Sequence, residues 1–259
     1  MRDHIYNQTI INRVPEVDKI ECWLSDLYKW MFVNSDCRPI SSFFDQEKQL
    51  YQELEHILIT LSSKEQIRGK VLRFFSQIEE LYIALELDIR AYLTGDFPFQ
   101  TKAAVIAQSS GFFATFIYRV AVLLQSIDTP EMSYVACSYA KRQTGIEIAP
   151  LAKIGESFTI DSGFGVVISQ TVQIANHVRL ANGVVLGLSH HLETESILVD
   201  DHVSIKANAI IGGDHIHIGK HCIIEQGCIV SESIKANNVV SVNQIKKLKK
   251  NKKPLIIKQ

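Results

Sequence analysis

The chain of 259 residues is short of the features that define several large protein classes. It has no run of about 18 apolar residues, so no segment reads as a bilayer-crossing helix. Its start, Met1-Arg2-Asp3-His4, lacks the apolar stretch of a secretory signal. Neither sign of charge dominates: 27 Lys and Arg face 28 Asp and Glu, and a net charge of −1 gives no general attraction to nucleic acid or to a membrane surface. Cysteine is scarce and odd in number. Cys22, Cys37, Cys137, Cys222 and Cys228 include no Cys-x-x-Cys pair, which fits free thiols in a reducing compartment. The cytoplasm is the expected location, with no membrane and no nucleic acid as partner.

What the sequence does have is a comb of branched aliphatic residues between Ile148 and Val230. It reads Ile148, Ile154, Ile160, Val166, Val172, Val178 and Val184, resumes at Val199, Ile205 and Ile211, slips by one residue at Gly212-Gly213-Asp214, and continues through Ile218, Ile224 and Val230. A period of six matches neither an α-helix nor a heptad, and plain strand alternation would not reserve one position in six for an aliphatic side chain. A coil of short strands does. If six residues form one flat side of a triangular coil, the aliphatic residue of each side points inward and stacks on its equivalent one coil away. Cys222 and Cys228, six apart, read as a metal or redox pair or as two small apolar residues at equivalent sites of successive hexapeptides. The second reading is the expectation.

The first 145 residues carry helical patterns and no comb. A helix is expected from Glu16 to Val33, a connection from Arg38 to Phe44 around Pro39, and a second helix from Glu47 to Leu61. Ser62 and Ser63 ahead of Glu65 and Gln66 resemble a capping box. The stripe Val71, Phe74, Phe75, Ile78, Leu81, Leu85, Ile89 and Tyr92 then predicts one helix ending near Gly95. Lys102 to Gln125 reads as an apolar helix softly broken at Ser109-Ser110-Gly111, and Thr129-Pro130 opens a last helix to about Thr144. The expected fold class is α+β: an α-helical domain over 1–145, a left-handed parallel β-helix over 146–235, and a basic C-terminal tail over 236–259. Handedness comes only from the resemblance that follows.

The run Gly111-Phe112-Phe113-Ala114, continuing to Tyr118-Arg119-Val120-Ala121, resembles the helix that precedes the solenoid in bacterial serine acetyltransferases. Thr144-Gly145-Ile146-Glu147-Ile148-Ala149-Pro150 with Ala152-Lys153-Ile154-Gly155 is similar to that family's entry into the first coil, and Ile160-Asp161-Ser162-Gly163-Phe164-Gly165-Val166-Val167-Ile168 to its Leu-Asp-His-x-x-Gly-Val-Val-Ile segment. The resemblance covers residues 80 to 235. It implies acetyl transfer from acetyl-coenzyme A to a serine hydroxyl, with a histidine as general base and a carboxylate orienting it.

At the residues that carry this chemistry the chain departs from the family. Ser162 stands where the base histidine is expected, while Asp161 beside it and the orienting carboxylate, Glu147, remain. Ser196 replaces a second histidine, Glu195 replaces an arginine that holds the substrate carboxylate, and Gln100 replaces an aspartate that holds the substrate amine. A displaced base is sought at His190 or His191, in the excursion between Val184 and Val199, with Glu193, Glu195 or Asp161 as orienter. The spacing there suggests three residues beyond two hexapeptides. His177, His202, His215, His217 and His221 show no metal-ligand spacing, are expected at the solenoid surface, and no metal is expected.

Coenzyme A, as acetyl-coenzyme A or another acyl-coenzyme A, is the implied cofactor, lying in a groove between neighbouring solenoids. Ala207 matches a contact of the family, Asn208 follows it, and Glu225-Gln226 replaces a Gly-Ala step. The tail lysines, from Lys246 to Lys258, are expected to be a solvated face, with phosphate binding as the alternative. Homotrimers or a dimer of trimers are implied. The cysteine-synthesising partner of the family, docked through a terminal isoleucine, is not expected on a chain ending Ile257-Lys258-Gln259. Two functions remain open. One is a coenzyme A-dependent O- or N-acyltransferase acting on a small-molecule acceptor other than free serine. The other is a catalytically inactive paralogue with a scaffolding or regulatory role.

Overall fold

A computed structural model describes residues 16–33, 39–59, 64–95, 99–187 and 196–242, without the side chains of residues 64 and 65. Among the described residues seven helices come first: α1 (Val17–Phe32), α2 (Ile40–Ile59), α3 (Lys64–Ser76), α4 (Ile78–Thr94), α5 (Lys102–Gln108), α6 (Ser110–Ser126) and α7 (Pro130–Thr144). They bury one aromatic-rich core. Trp23 and Phe74 meet edge to face with ring centroids 5.3 Å apart, and α6 is buried along most of its length. Among the described residues no single helix is long and apolar enough to cross a membrane.

Three helix boundaries differ from the sequence reading. The connection expected over Arg38 to Phe44 is helical from Ile40, because Trp30 stacks on Phe43 at 4.9 Å and draws the segment onto α1. The stripe from Val71 to Tyr92 belongs to two helices, α3 and α4, since only Gln77 leaves the helix between them and a one-residue break barely disturbs the period. The break expected to be soft near Ser109 is an 80° bend between α5 and α6. Capping explains it: the Ser109 hydroxyl accepts the Phe112 N–H at 3.0 Å and starts a new helix there. The Ser62-Ser63 capping box lies outside the described residues.

After α7, Gly145 at φ +71 turns the chain into a parallel β-solenoid. Its strands are β1 (Glu147–Ile148), β2 (Lys153–Ile154), β3 (Thr159–Ile160), β4 (Val167–Ile168), β5 (Val172–Ile174), β6 (Arg179–Leu180), β7 (Val185–Leu186), β8 (Ile197–Val199), β9 (Ser204–Ile205), β10 (Ile210–Ile211), β11 (Ile216–Ile218), β12 (Ile223–Ile224), β13 (Ile229–Val230) and β14 (Val239–Val240). They form three parallel sheets: β1-β4-β7-β10-β13, the first sheet; β2-β5-β8-β11, the second; and β3-β6-β9-β12-β14, the third. The inward side chains of all three sheets make one aliphatic column, with Ile160, Ile168, Leu180, Ile205, Ile211 and Ile224 at 0% exposure. Each such burial stabilises the fold by about 1.5–3 kcal/mol. Cys222 and Cys228 sit in this column at 0% exposure, as small core residues.

The register corrects the comb in two places. Ile148 pairs with Ile168, not Val166, so the unbroken run of sixes crosses a two-residue insertion at Asp161 to Gly165. Each side has two inward positions, two residues apart, and the comb passes from one to the other without a visible miss. Val185 pairs with Ile210, twenty-five positions on, where three hexapeptides need eighteen. The excursion between β7 and β8 therefore adds seven residues to a single side rather than three to two sides. The slip at Gly212-Gly213-Asp214 is as expected: Ile197 pairs with Ile216.

The helices cover the open edge of the first coil, which would otherwise present unpaired backbone groups. Tyr92 of α4 donates to Ile160 O at 2.9 Å and accepts from Ile160 N at 3.0 Å. Tyr118 of α6 donates to Ala152 O at 2.7 Å, and burial pushes its phenol up to about 12. Arg119 donates to Gly155 O at 2.7 Å and grips Asp88, whose Oδ1 also accepts the Phe158 N–H at 2.9 Å. Gly111 permits this approach, because a Cβ there would lie 2.0 Å from Ile160 O.

Candidate functional site

The described solenoid residues expected to carry catalysis or to bind substrate and cofactor fall on two of the three corners of the prism. Where the third sheet passes into the first, Gly145, Gly165, Gly183, Asn208 and Gly227 all have positive φ and stack coil upon coil. Gly183 N donates to Phe164 O, Asn208 N to Asn182 O and Gly227 N to Ala207 O, each at 2.9 Å. This corner carries Asp161, Ser162, Ala207, Asn208 and Gln226, with Glu147 on the strand that leaves it. Ser162 is exposed at φ +48 in the inserted turn, beside Phe164 at 77% exposure. Asn208 lies across the coil below, its Oδ1 where a Cβ on Gly183 would come within 2.1 Å. Gln226 is exposed at the top of the column.

Asp161 and Glu147 are already met by cations of the chain itself. Arg179 reaches Asp161 at 3.1 Å and Lys141 reaches Glu147 at 2.6 Å. Sequence reasoning named neither cation. Arg179 was legible only through the coil register, which sets Thr159 beside Arg179 and brings Asp161 within its reach.

Ser196 sits at a different corner, between the first and second sheets, at the end of the excursion. Its Oγ lies 3.1 Å from Nδ1 of His215 on the next coil. Gln100 is exposed on the helical side, just ahead of Thr101, the cap of α5. His190, His191, Glu193 and Glu195 lie outside the described residues, as do the tail lysines. Within one chain, then, the described solenoid candidates form two groups at opposite edges of the first sheet and do not converge, and Gln100 belongs to neither.

The remaining histidines follow the coil geometry. His177, His202 and His221 all take φ +58 at the third corner and stack as a column, with centroids 4.6 and 4.9 Å apart and planes within 4° and 6°. His217 Nε2 meets Asp200 at 3.0 Å. Beside the column, Asp201 accepts from Lys220 Nζ at 2.8 Å and from Asn176 N at 3.0 Å. Those two bonds hold its carboxyl below the usual range, the lysine bond counting most. Among the described residues no group of three or more His, Cys, Asp or Glu side chains is placed to hold a metal ion.

Comparison with known proteins connects this geometry to a family. No family model matches the chain. Over 114 residues it is 33% identical to the plasmid serine acetyltransferase of Synechococcus elongatus, covering 44% of this chain and 36% of that protein. Over 146 residues it is 30% identical to the serine acetyltransferase of Helicobacter pylori, covering 49% of this chain and 85% of that protein. The chain spans half or less of the length of several other curated relatives it matches. Isoform 3 of the serine acetyltransferase of Entamoeba histolytica, solved with cysteine, superposes with a TM-score of 0.76 at 25% identity, covering 93% of this chain and 84% of that one. The serine acetyltransferase of Brucella abortus, solved with coenzyme A, shares the fold with a TM-score of 0.63 at 20% identity, covering 85% of this chain and 78% of that one. Helices, solenoid entry and coils follow one another as the sequence motifs had suggested, and the match to the Helicobacter protein spans most of that relative: the chain belongs to the serine acetyltransferase family.

Proposed function

We propose that the protein is an acyl-coenzyme A-dependent O- or N-acyltransferase whose acceptor is a small molecule other than free serine. The observation that carries this reading is the pair of internal ion pairs, Arg179 with Asp161 and Lys141 with Glu147. An amino acid arriving with its ammonium group would have to displace a guanidinium from Asp161. Gln100 adds no charge, and Ser162 gives the corner a hydroxyl in place of an imidazole. An acyl-coenzyme A donor is supported by the family relationship and by the Brucella neighbour solved with coenzyme A. Ala207, Asn208 and Gln226 line the corner where such a donor would run. Asn208 narrows it, and Glu225 puts a carboxylate near the path of the pyrophosphate.

The outer face of the first sheet supports assembly. Val167, Val185, Ile210 and Ile229 follow one another up that face, with Ile229 at 64% exposure, and a ladder of outward apolar residues suits contact with other copies. We read the unit as a trimer built through the solenoids, either alone or doubled through the helices. The two corners that bound this sheet would lie at the rim of each joint. That arrangement would let Asp161 and Ser162 of one copy approach Ser196 of another. A cytoplasmic setting accords with the free thiols of Cys22, Cys137, Cys222 and Cys228.

Calorimetric titration of the full-length protein with acetyl-coenzyme A tests the reading, together with assays of L-serine turnover. Saturable heat with little or no serine acetylation is the expected result. Rapid serine turnover would remove the claim about the acceptor. The Ser162 substitution also favours a second reading, an inactive paralogue kept for assembly or regulation, and absence of any binding heat would favour that one.

A further inference from the structure

Resting on the acyl-transfer reading, we propose that His215 is the general base of the reaction and that Ser196 positions it. The imidazole of His215 stands at the foot of the excursion between β7 and β8, one coil above Ser196, with Nδ1 3.1 Å from Ser196 Oγ. The seven-residue step from Ile211 to Ile218 puts one extra residue into this corner. His215 takes φ +51 there and is exposed. Leu151 and Thr171, at the same corner of earlier coils, have ordinary backbone. The register sets His215 directly above Ser196, so an imidazole stands one coil higher at the position equivalent to 196, and the residue added by the slip lies ahead of it.

The other described histidines are committed elsewhere. His217 uses Nε2 on Asp200. His177, His202 and His221 stack on one another at the corner that does not border the apolar face. His56 lies against Lys19 between α1 and α2. His215 alone among them lies at the rim of the first sheet with Nε2 unpartnered among the described residues.

The step balances without a redox partner. In the tautomer that the step uses, Nδ1–H of His215 donates to Ser196 Oγ and the Nε2 lone pair is left as base. Nε2 takes the proton of the acceptor hydroxyl or amine as its oxygen or nitrogen bonds to the thioester carbonyl carbon. The C–S bond then breaks, and the coenzyme A sulfur leaves with the proton returned from Nε2.

The test follows thiol release from acetyl-coenzyme A by the full-length chain across pH, with water and a panel of small alcohols and amines as acceptors. His215→Asn suits the backbone, since Asn tolerates the left-handed region, yet it supplies no base. We expect it to lower kcat on the order of 10²–10⁴-fold with KM for acetyl-coenzyme A unchanged, and added imidazole to restore part of the rate. Ser196→Ala should lower kcat less and alter the pH profile, with Ser196→Thr recovering it, while His217→Ala keeps the parental behaviour. Parental kcat and pH profile in His215→Asn overturn the proposal. So does a loss of rate confined to His190→Ala or His191→Ala, or a parent that binds acetyl-coenzyme A and releases no thiol. A parent that fails to bind acetyl-coenzyme A defeats the acyl-transfer reading itself, and this proposal with it.

Discussion

Arg119 holds both carboxylate oxygens of Asp88, Nε on Oδ2 at 2.6 Å and Nη2 on Oδ1 at 2.8 Å, in a pair where Asp88 has no exposed surface. Burial pushes the Asp88 carboxyl up, while Arg119 and the Phe158 N–H oppose that shift. Breaking a buried pair strands the surviving group, so Arg119→Met should cost about 3–5 kcal/mol, measured by denaturant unfolding. The double variant Arg119→Met with Asp88→Leu should recover part of that loss. Equal stability of the parent and the single variant would show that the clasp contributes nothing.

Gly111 and Ile160 set the closest approach of helix to coil. A methyl at residue 111 would stand 2.0 Å from a backbone oxygen, which no rotamer change relieves. Gly111→Ala should therefore displace α6 from the first coil and destabilise the protein by about 1–3 kcal/mol. Hydrogen exchange should show the loss first at Ile160 N, whose partner Tyr92 moves with the helices. Unchanged protection at that amide would refute the argument.

Asp201 supplies a pH dependence with a definite sign. Its folded carboxyl titrates below the ordinary value of 3.8, chiefly through Lys220 and then the Asn176 N–H. Its contribution is therefore full above the unfolded value and is lost as pH falls through the lower folded value. Thermal melts should show Asp201→Asn less stable than the parent near neutrality, with the gap closing in acid. A gap that stays constant down to the acid limit would remove Asp201 from the account.

The proposed assembly through the first sheet would be broken at its apolar ladder. Ile210→Glu places a carboxylate in the middle of that outer face without touching the inward column, where Ile211 lies. Light scattering should report a smaller species than the parent, with unchanged far-ultraviolet circular dichroism. A parent that is already monomeric would count against solenoid-mediated assembly.

The solenoid was legible because a rule repeated every six residues survives local noise, and the slip near Gly213 could be placed to the residue. The two-residue insertion at Asp161 was hidden, since each side offers two inward positions and Ile160 to Val166 is still six. The bend at Ser109 was underrated because a serine cap leaves no trace in the apolar period. Ser162, Ser196 and Gln100 could be set against the family motifs by sequence position alone. Arg179 and His215 could not, because their partners, Asp161 and Ser196, are neighbours across coils. Only the register, with its unequal insertions, tells which residues of adjacent coils meet.

The stacked imidazoles at the third corner follow from a coincidence of lengths. Neighbouring strands of a sheet lie about 4.7–4.9 Å apart, and the ring centroids of His177, His202 and His221 are separated by 4.6 and 4.9 Å. The spacing of the hydrogen-bond ladder is thus repeated outside the core by three parallel rings, each shifting the resonances of the next through its ring current. The protein carries its own ruler. If a coil slipped by one residue or unwound from its neighbour, one ring would leave the column, and nuclear magnetic resonance would report which coil had moved.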